Sequence, residues 1–318
     1  MAIYHGEKIK LFALSSNKEL AQEVSECLGV PLSTCEVTKF SDGEIGVNID
    51  ETVRGHKVFV IQSTSAPVND NLMELLIFID ALKRASAKEI NIVLPYYGYC
   101  RQDKKSQSRQ PISAKLVADL ITVAGATRVI ALDLHAAQIQ GFFNIPIDNL
   151  TAMPLFSKYI KDEDIKDAVV VSPDHGGANR ARKLADSIHT TDIAIIDKRR
   201  PQPNVSEVMN IIGDVKDKNC LIVDDMIDTA GSVCNAAHAL IKNGAKSIYC
   251  FASHAILSGE ACNRLSEPRL FQKVVVTNSI RIPSEKQFPS LHIISIASLV
   301  ADAIQRVIDD QALSPLFS

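Results

Sequence analysis

Short apolar runs alternate with helical periodicity along most of the chain. Residues 9–13, 58–62, 91–94, 129–133, 169–172, 193–196, 221–223, 248–252, 274–277 and 292–295 are compact and rich in Val, Ile, Leu and Ala. Runs with little polar alternation suit strands covered on both faces of a parallel sheet. Residues 18–28, 71–83, 113–123, 178–188, 233–241 and 298–308 instead carry apolar positions three and four apart, the stripe of a helix packed on one side. This alternation predicts an α/β fold of mainly parallel sheets flanked by helices.

The pattern also repeats. Gly125-Ala126-Thr127-Arg128-Val129-Ile130-Ala131-Leu132-Asp133-Leu134-His135-Ala136 matches Gly244-Ala245-Lys246-Ser247-Ile248-Tyr249-Cys250-Phe251-Ala252-Ser253-His254-Ala255 in spacing, and a helical stretch precedes each at the same offset. Two unrelated strand–helix units of one type would give a weaker match of this kind. Duplication of a whole domain predicts two similar domains, residues 1–150 and 151–297.

Composition adds bounds. The 318 residues suit two domains of ordinary size. With 34 basic and 37 acidic residues and no long basic run, the chain does not point to nucleic acid. Seven scattered cysteines without a Cys-x-x-Cys pair suggest free thiols in a reducing cytoplasm rather than disulfides or zinc. No apolar run approaches membrane-spanning length, so no membrane partner is expected.

The most informative stretch is Leu221-Ile222-Val223-Asp224-Asp225-Met226-Ile227-Asp228-Thr229-Ala230-Gly231-Ser232. An apolar strand places Asp224 and Asp225 at its carboxyl end, where open α/β sheets bind ligands. Asp228 to Ser232 form a small-residue loop ahead of a helix, a cradle of N–H groups for a phosphate. Carboxylates accept from sugar hydroxyls, so the stretch reads as a site for a phosphorylated sugar with a vicinal diol. Asp-rich turns can also simply cap helices.

Four further motifs carry candidate chemistry. Ser172-Pro173-Asp174-His175-Gly176-Gly177-Ala178-Asn179-Arg180 is a second strand-to-helix anion loop, with a carboxylate suited to Mg²⁺; Gly-Gly alone would be only a turn. Phe40-Ser41-Asp42-Gly43-Glu44 puts an aromatic ring beside a polar turn, able to stack a base, or is a surface turn. Arg101-Gln102-Asp103-Lys104-Lys105 is a cationic stretch, either nucleotide-binding or solvated. Asp197-Lys198-Arg199-Arg200-Pro201-Gln202-Pro203-Asn204 groups three cations with two prolines and predicts an exposed loop rather than a helix or central strand. No Walker A pattern occurs. His135 ends a strand, and a lone histidine there is more often structural than a ligand.

The 221–232 stretch resembles the binding loop of type I phosphoribosyltransferases. With the other motifs, the chain resembles the phosphate-activated phosphoribosyl pyrophosphate synthetase family from Phe12 to Phe317. Departures are Cys100, where Ala is common, and Asn179. The resemblance implies that Asp224, Asp225, Asp228, Thr229, Ala230, Gly231 and Ser232 bind ribose 5-phosphate, and that Asp174, His175, Gly176 and Gly177 take the diphosphate. It implies an ATP site at Phe40, Asp42, Gly43, Glu44, Arg101 and Gln102, Mg²⁺ at His135 and Asp174, and a catalytic loop carrying Lys198 and Arg200. It further implies a closing helix, 298–318, packed on the first domain. Allosteric positions by match are Arg54, Ser86, Arg109, Gln140 and Asn149, with phosphate and ADP as effectors of a homo-oligomer, a hexamer. The expected reaction is diphosphoryl transfer from ATP to ribose 5-phosphate. Rivals are a phosphoribosyltransferase, which would not use the first-domain motifs, and a non-catalytic regulatory paralogue, which would not need Lys198, Arg200, Asp174 and His135 together.

Overall fold

The computed structural model describes residues 3–4, 7–199 and 208–317. It divides into two compact units. Unit 1 comprises Met1–Thr151, Ser279–Arg281 and Ser295–Ser318, and unit 2 comprises Ala152–Asn278 and Ile282–Ile294. Among the described residues no helix is long and apolar enough to cross a membrane, and all seven cysteines are free thiols.

Unit 1 runs β1 (Ile3–Tyr4), β2 (Glu7–Ala13), α1 (Lys18–Leu28), β3 (Cys35–Lys39), β4 (Ile45–Ile49), β5 (Lys57–Ile61), α2 (Val68–Arg84), β6 (Glu89–Leu94), α3 (Ser113–Ala124), β7 (Arg128–Leu132) and β8 (Ile147–Leu150). The sheet order is β1-β2-β5-β6-β7-β8, parallel from β2 onward. Every residue of β5, and all but the first of β6 and β7, is buried, which is why these strands read as unbroken apolar runs. Helix α1 starts where the Asn17 side chain accepts from the Leu20 amide and buries Leu20, Ala21, Val24 and Leu28. Phe12 and Phe78 meet edge to face at 5.2 Å in the core.

Unit 2 runs α4 (Met153–Asp162), β9 (Ala168–Ser172), α5 (Ala178–Ser187), β10 (Ile193–Arg199), β11 (Val208–Ile212), β12 (Asn219–Ile227), α6 (Gly231–Lys242), β13 (Ser247–Ala255), α7 (Ala261–Leu265), β14 (Lys273–Thr277) and β15 (Leu291–Ile294). Its order is β11-β10-β9-β12-β13-β14-β15, and only β11 is antiparallel to its neighbour. The chain leaves β9 through α5 toward β10 on one side, and leaves β12 through α6 toward β13 on the other. That reversal opens a crevice at the carboxyl ends of β9 and β12, the standard ligand position of an open α/β sheet. The last helix, α8 (Ala297–Ile308), belongs to unit 1, where it packs on α1 and its final carbonyl, at Ile308, accepts from the buried Lys57 ammonium at 3.5 Å.

The α/β class with mainly parallel sheets holds. Four parallel strands share one order in each unit, β5-β6-β7-β8 and β9-β12-β13-β14. The repeated Gly-Ala pairs do the same job twice. Gly125 (φ +128°) follows α3 and Gly244 (φ +83°) follows α6, both in a backbone region costly for a Cβ, and Ala126 and Ala245 then donate back to the carbonyls of Ile121 and Leu240. The paired histidines diverge: His135 lies past the end of β7, half-buried, whereas His254 is buried within β13.

Two expectations need correction. Strand β12 does not stop at Val223; its pairing with β13 continues to Ile227 opposite Ala255. Residues 197–199 are not loop but the end of β10, because β11 pairs with them antiparallel, Asp197 opposite Asn210. Strand β9 pairs with β10 only as far as Ile195, so residues 197–199 form an edge ribbon with β11.

Candidate active site

The crevice of unit 2 is built from the two loops that flank the switch point. Pairing of β12 with β9 ends at Ile222 opposite Val171, while pairing with β13 continues. Asp224 and Asp225 therefore stand past the last rung on the β9 side, on rigid strand backbone. Asp225 is buried, and Asp224 keeps about a quarter of its side chain exposed. Burial and the neighbouring Asp225 carboxyl push Asp224 up to about 7, against the opposing pull of Arg180.

Arg180 is the partner that sequence reading quoted without assigning. From the first turn of α5 its Nη1 donates to Asp224 Oδ1 at 2.9 Å, and its Nη2 lies 3.1 Å from Asp225 Oδ1. Only the topology, which lays α5 beside β12, reveals the pairing.

Asp228 to Ala230 lead directly into α6, whose first two residues are Gly231 and Ser232. Ala230 adopts a left-handed conformation (φ 61°), and α6 has no side-chain cap on its first amides. Uncapped N–H groups at such a turn suit an anion. Arg264 on α7 donates to the Thr229 carbonyl at 2.8 Å, placing a cation at the loop. Arg264 lies on the five-residue α7, far from the loop in sequence, so the contact is seen only in the fold.

The β9 loop is shaped by its own hydrogen bonds. Ser172 Oγ donates to the Asp174 carbonyl at 2.6 Å, and the Gly177 amide donates to Asp174 Oδ1 at 3.0 Å. A Cβ on Gly177 would lie 2.7 Å from Ser172 Oγ, so a larger residue there would force that hydroxyl to move. Asp174, His175 and Gly176 are exposed. His175 Nε2 lies 3.0 Å from Oδ1 of Asp197, the β10 residue just before Lys198. The backbone of Lys198 is thereby held at the end of β10 next to the anion loop; Arg200 lies outside the described residues.

In unit 1 the hairpin β3–β4 carries the Phe40 to Glu44 turn. Phe40 is 58% exposed, and Gly46 lets its ring lie close to the opposite strand. The Glu44 amide donates to Asp42 Oδ1 at 3.0 Å, and the Gly43 amide to the Phe40 carbonyl at 2.9 Å. The start of α2 ties two segments together: Asp70 pairs with Lys39 of β3 at 2.7 Å, and Asn69 accepts from the Tyr99 hydroxyl. Arg101 and Gln102 follow Tyr99, both exposed, and Gln102 accepts from Ser113 at the start of α3. These contacts draw the hairpin and the segment with Arg101 and Gln102 to one end of α2.

Past β7, Asp133 has φ 37° and the Leu134 amide donates to Asn149 Oδ1 at 3.0 Å, which fixes the turn carrying His135. Arg54 donates to Ser86 Oγ at 3.1 Å; Arg109 is exposed with φ 65°; the exposed Gln140 donates to the Ala137 carbonyl.

Among the described residues no three His, Cys, Asp or Glu side chains gather to hold a metal. An exposed Asp174 with one oxygen engaged by an amide suits Mg²⁺ that keeps most of its water and phosphate ligands, since Mg²⁺ rarely uses an all-protein cage.

Comparison with known proteins matches residues 9–125 to the N-terminal domain of ribose phosphate pyrophosphokinase and residues 198–318 to a phosphoribosyl synthetase-associated domain. The chain is 56% identical over 315 residues to the ribose-phosphate pyrophosphokinase of Corynebacterium ammoniagenes, covering 99% of each. It is 55% identical over 319 residues to that of Bacillus subtilis strain 168, covering all of both. The crystal structure of phosphoribosylpyrophosphate synthetase from Mycobacterium smegmatis superposes with a TM-score of 0.91 at 45% identity, covering 96% of this chain and all of that one.

Proposed function

The chain belongs to the ribose-phosphate pyrophosphokinase family, and from that premise we propose that it transfers the diphosphoryl group of ATP to the anomeric hydroxyl of ribose 5-phosphate. The products are 5-phosphoribosyl 1-diphosphate, for nucleotide biosynthesis, and AMP. The observation that carries this reading is the pairing, at one switch point, of two adjacent carboxylates with an uncapped phosphate-type loop.

Asp224 and Asp225 accept from the 2- and 3-hydroxyls of the sugar. The amides and hydroxyls from Asp228 to Ser232 hold the 5-phosphate. The anomeric oxygen then bonds to the β-phosphorus, the bond from that phosphorus to the oxygen shared with the α-phosphate breaks, and AMP leaves. Such a transfer needs alignment and charge neutralisation more than covalent help. Asp174, His175, Gly176 and Gly177 cradle the diphosphate as it moves, and Lys198 and Arg200 offset charge on the transferring group. In unit 1, Phe40 stacks the adenine base, with Asp42, Gly43, Glu44, Arg101 and Gln102 completing the nucleotide site. Mg²⁺ would supply charge neutralisation at phosphate oxygens; Asp174 of unit 2 and, separately, His135 of unit 1 are the residues that would contact Mg²⁺.

The proposed setting is a cytoplasmic homo-oligomer, a hexamer, which phosphate activates and ADP inhibits through Arg54, Ser86, Arg109, Gln140 and Asn149. A phosphoribosyltransferase or a silent regulatory paralogue is not favoured, because the full-length relatives are pyrophosphokinases. An assay of AMP formation with and without ribose 5-phosphate tests the proposal. AMP that depends on the sugar phosphate supports it; AMP formed equally without the sugar, or none at all, refutes it.

A further inference from the structure

The Asp224–Asp225 pair presents a chemical difficulty. Two carboxyls in adjacent positions, both largely withdrawn from water, tend to share a proton rather than ionise together. A shared proton turns an acceptor into an O–H donor. Two sugar hydroxyls approaching as donors then lose part of what they bind to.

Arg180 is placed to remove that difficulty. Its guanidinium spans the two side chains, with Nη1 on Asp224 Oδ1 at 2.9 Å and Nη2 near Asp225 Oδ1 at 3.1 Å. Only 21% of its own side chain is exposed, so the charge is weakly screened by solvent. A planar fork can serve two acceptors at fixed geometry, which a lysine cannot. One guanidinium contact on each carboxylate leaves further lone-pair directions for hydroxyls. The guanidinium also starts from the first turn of α5, directly after the Asp174 to Gly177 loop, so one rigid helix start serves both the anion loop and the diol carboxylates.

We propose that Arg180 is a positioning residue for the sugar: it lowers the pH above which Asp224 and Asp225 are ionised together and aims them as an acceptor pair at a vicinal diol. The inference rests on the reading of that pair as the sugar site. Among the described residues, the charged or titratable groups recorded around Asp224 are Arg180 from α5, Asp225 on its own strand and the buried Cys250 thiol from β13. The Asp225 amide donates to Asp224 Oδ1 at 2.9 Å and also favours the charged carboxylate, but Arg180 alone among the charged groups does so.

The test is steady-state kinetics of the full chain and its Arg180→Gln variant from pH 6 to 9.5, varying ribose 5-phosphate and ATP separately. In the variant, KM for ribose 5-phosphate is expected to rise roughly 10- to 100-fold at neutral pH, the scale of losing a charge-assisted hydrogen-bond system. It should recover toward alkaline pH, where the pair ionises without help, while KM for ATP changes by less than about threefold. The pH limb of the sugar KM thus moves to higher pH than in the unaltered protein. A limb that stays in place, or equal losses for both substrates, would reduce Arg180 to a structural contact and overturn the inference. Should Arg180→Gln fail to fold, Arg180→Lys replaces it; losing the fork but not the charge, it is expected to move the same limb in the same direction by a smaller amount, and no movement would overturn the inference. The unaltered protein is the control for the underlying reading: without AMP formation from ribose 5-phosphate both readings fall, whereas normal formation with an unmoved limb removes only the role of Arg180.

Discussion

At the scale of single residues, the site depends on protonation and on space. Asp224 lies at about 7 because burial and Asp225 raise it more than Arg180 lowers it. Its usable form is the ionised acceptor, so apparent affinity for ribose 5-phosphate should fall as pH drops through about 7, as the carboxyl takes up a proton. Asp224→Asn should raise the KM for ribose 5-phosphate by roughly 10- to 100-fold, leave that for ATP nearly unchanged, and abolish the pH limb. Kinetics with each substrate varied across pH would show this, and an unchanged sugar KM would remove Asp224 from the site. Gly177 is a matter of space. Its substitution by Ala brings a Cβ to 2.7 Å from the buried Ser172 Oγ, which itself holds the Asp174 carbonyl. The Ser172 hydroxyl must move and its hold on the Asp174 carbonyl weakens, and a displacement near 1 Å at a reacting group can cost about 100-fold in rate. Gly177→Ala should therefore lower kcat strongly while far-ultraviolet circular dichroism stays unchanged.

At the scale of elements, the sequence revealed the long amphipathic helices and the fully buried strands best. Residues 18–28 are read as a helix and form α1 with the same ends, because an Asn cap, an apolar stripe and a closing Gly29 agree. The hairpin β3–β4 was not legible. Cys35 and Val37 alternate with Glu36 and Thr38, and Ile45, Val47 and Ile49 with Gly46 and Asn48, but each strand is only five residues long and none of these residues is fully buried, so the turn rather than the strands stood out. The extension of β12 through Asp224 and Asp225 was hidden for a different reason: charged residues do not announce a strand, yet β13 supplies the rungs. The contacts of Arg180 with Asp224 and of Arg264 with the Thr229 carbonyl were invisible because each crosses between elements that only the topology brings together.

The hairpin's root offers a separate test. Glu51 follows β4, pairs with Lys10 of β2 and accepts from the Thr34 amide at 2.7 Å. The Lys10 contact first, then the Thr34 amide, lower its carboxyl from the ordinary range to about 2. A lowered carboxyl stabilises the fold above its ordinary range near 4.5, and that contribution is lost as pH falls toward 2. With the side chain 30% exposed, screening reduces the gain to roughly 0.5–1.5 kcal/mol. Glu51→Gln should lower the thermal midpoint by a few degrees at pH 7, with the difference shrinking below about pH 4. A difference that grows on acidification would contradict the assigned contacts.

At the scale of the whole molecule, a shared four-strand core has been put to two uses. Unit 2 reverses its connections at β9 and β12 and gains a crevice there; unit 1 adds its strands in one direction and carries its motifs on a hairpin and on the long segment between β6 and α3. In the proposed division of labour, the first serves the sugar and its phosphates and the second serves the nucleotide. The central claim is that the group transferred is the diphosphoryl unit, through attack at the β-phosphorus. Its most direct test uses ATP labelled with ³²P at the β position, ribose 5-phosphate and Mg²⁺, with the products separated by anion exchange. Expected is label in 5-phosphoribosyl 1-diphosphate together with unlabelled AMP in equal amount. Label recovered as ADP, with an unlabelled sugar product, would mean transfer of the γ-phosphoryl group alone and would contradict the assignment.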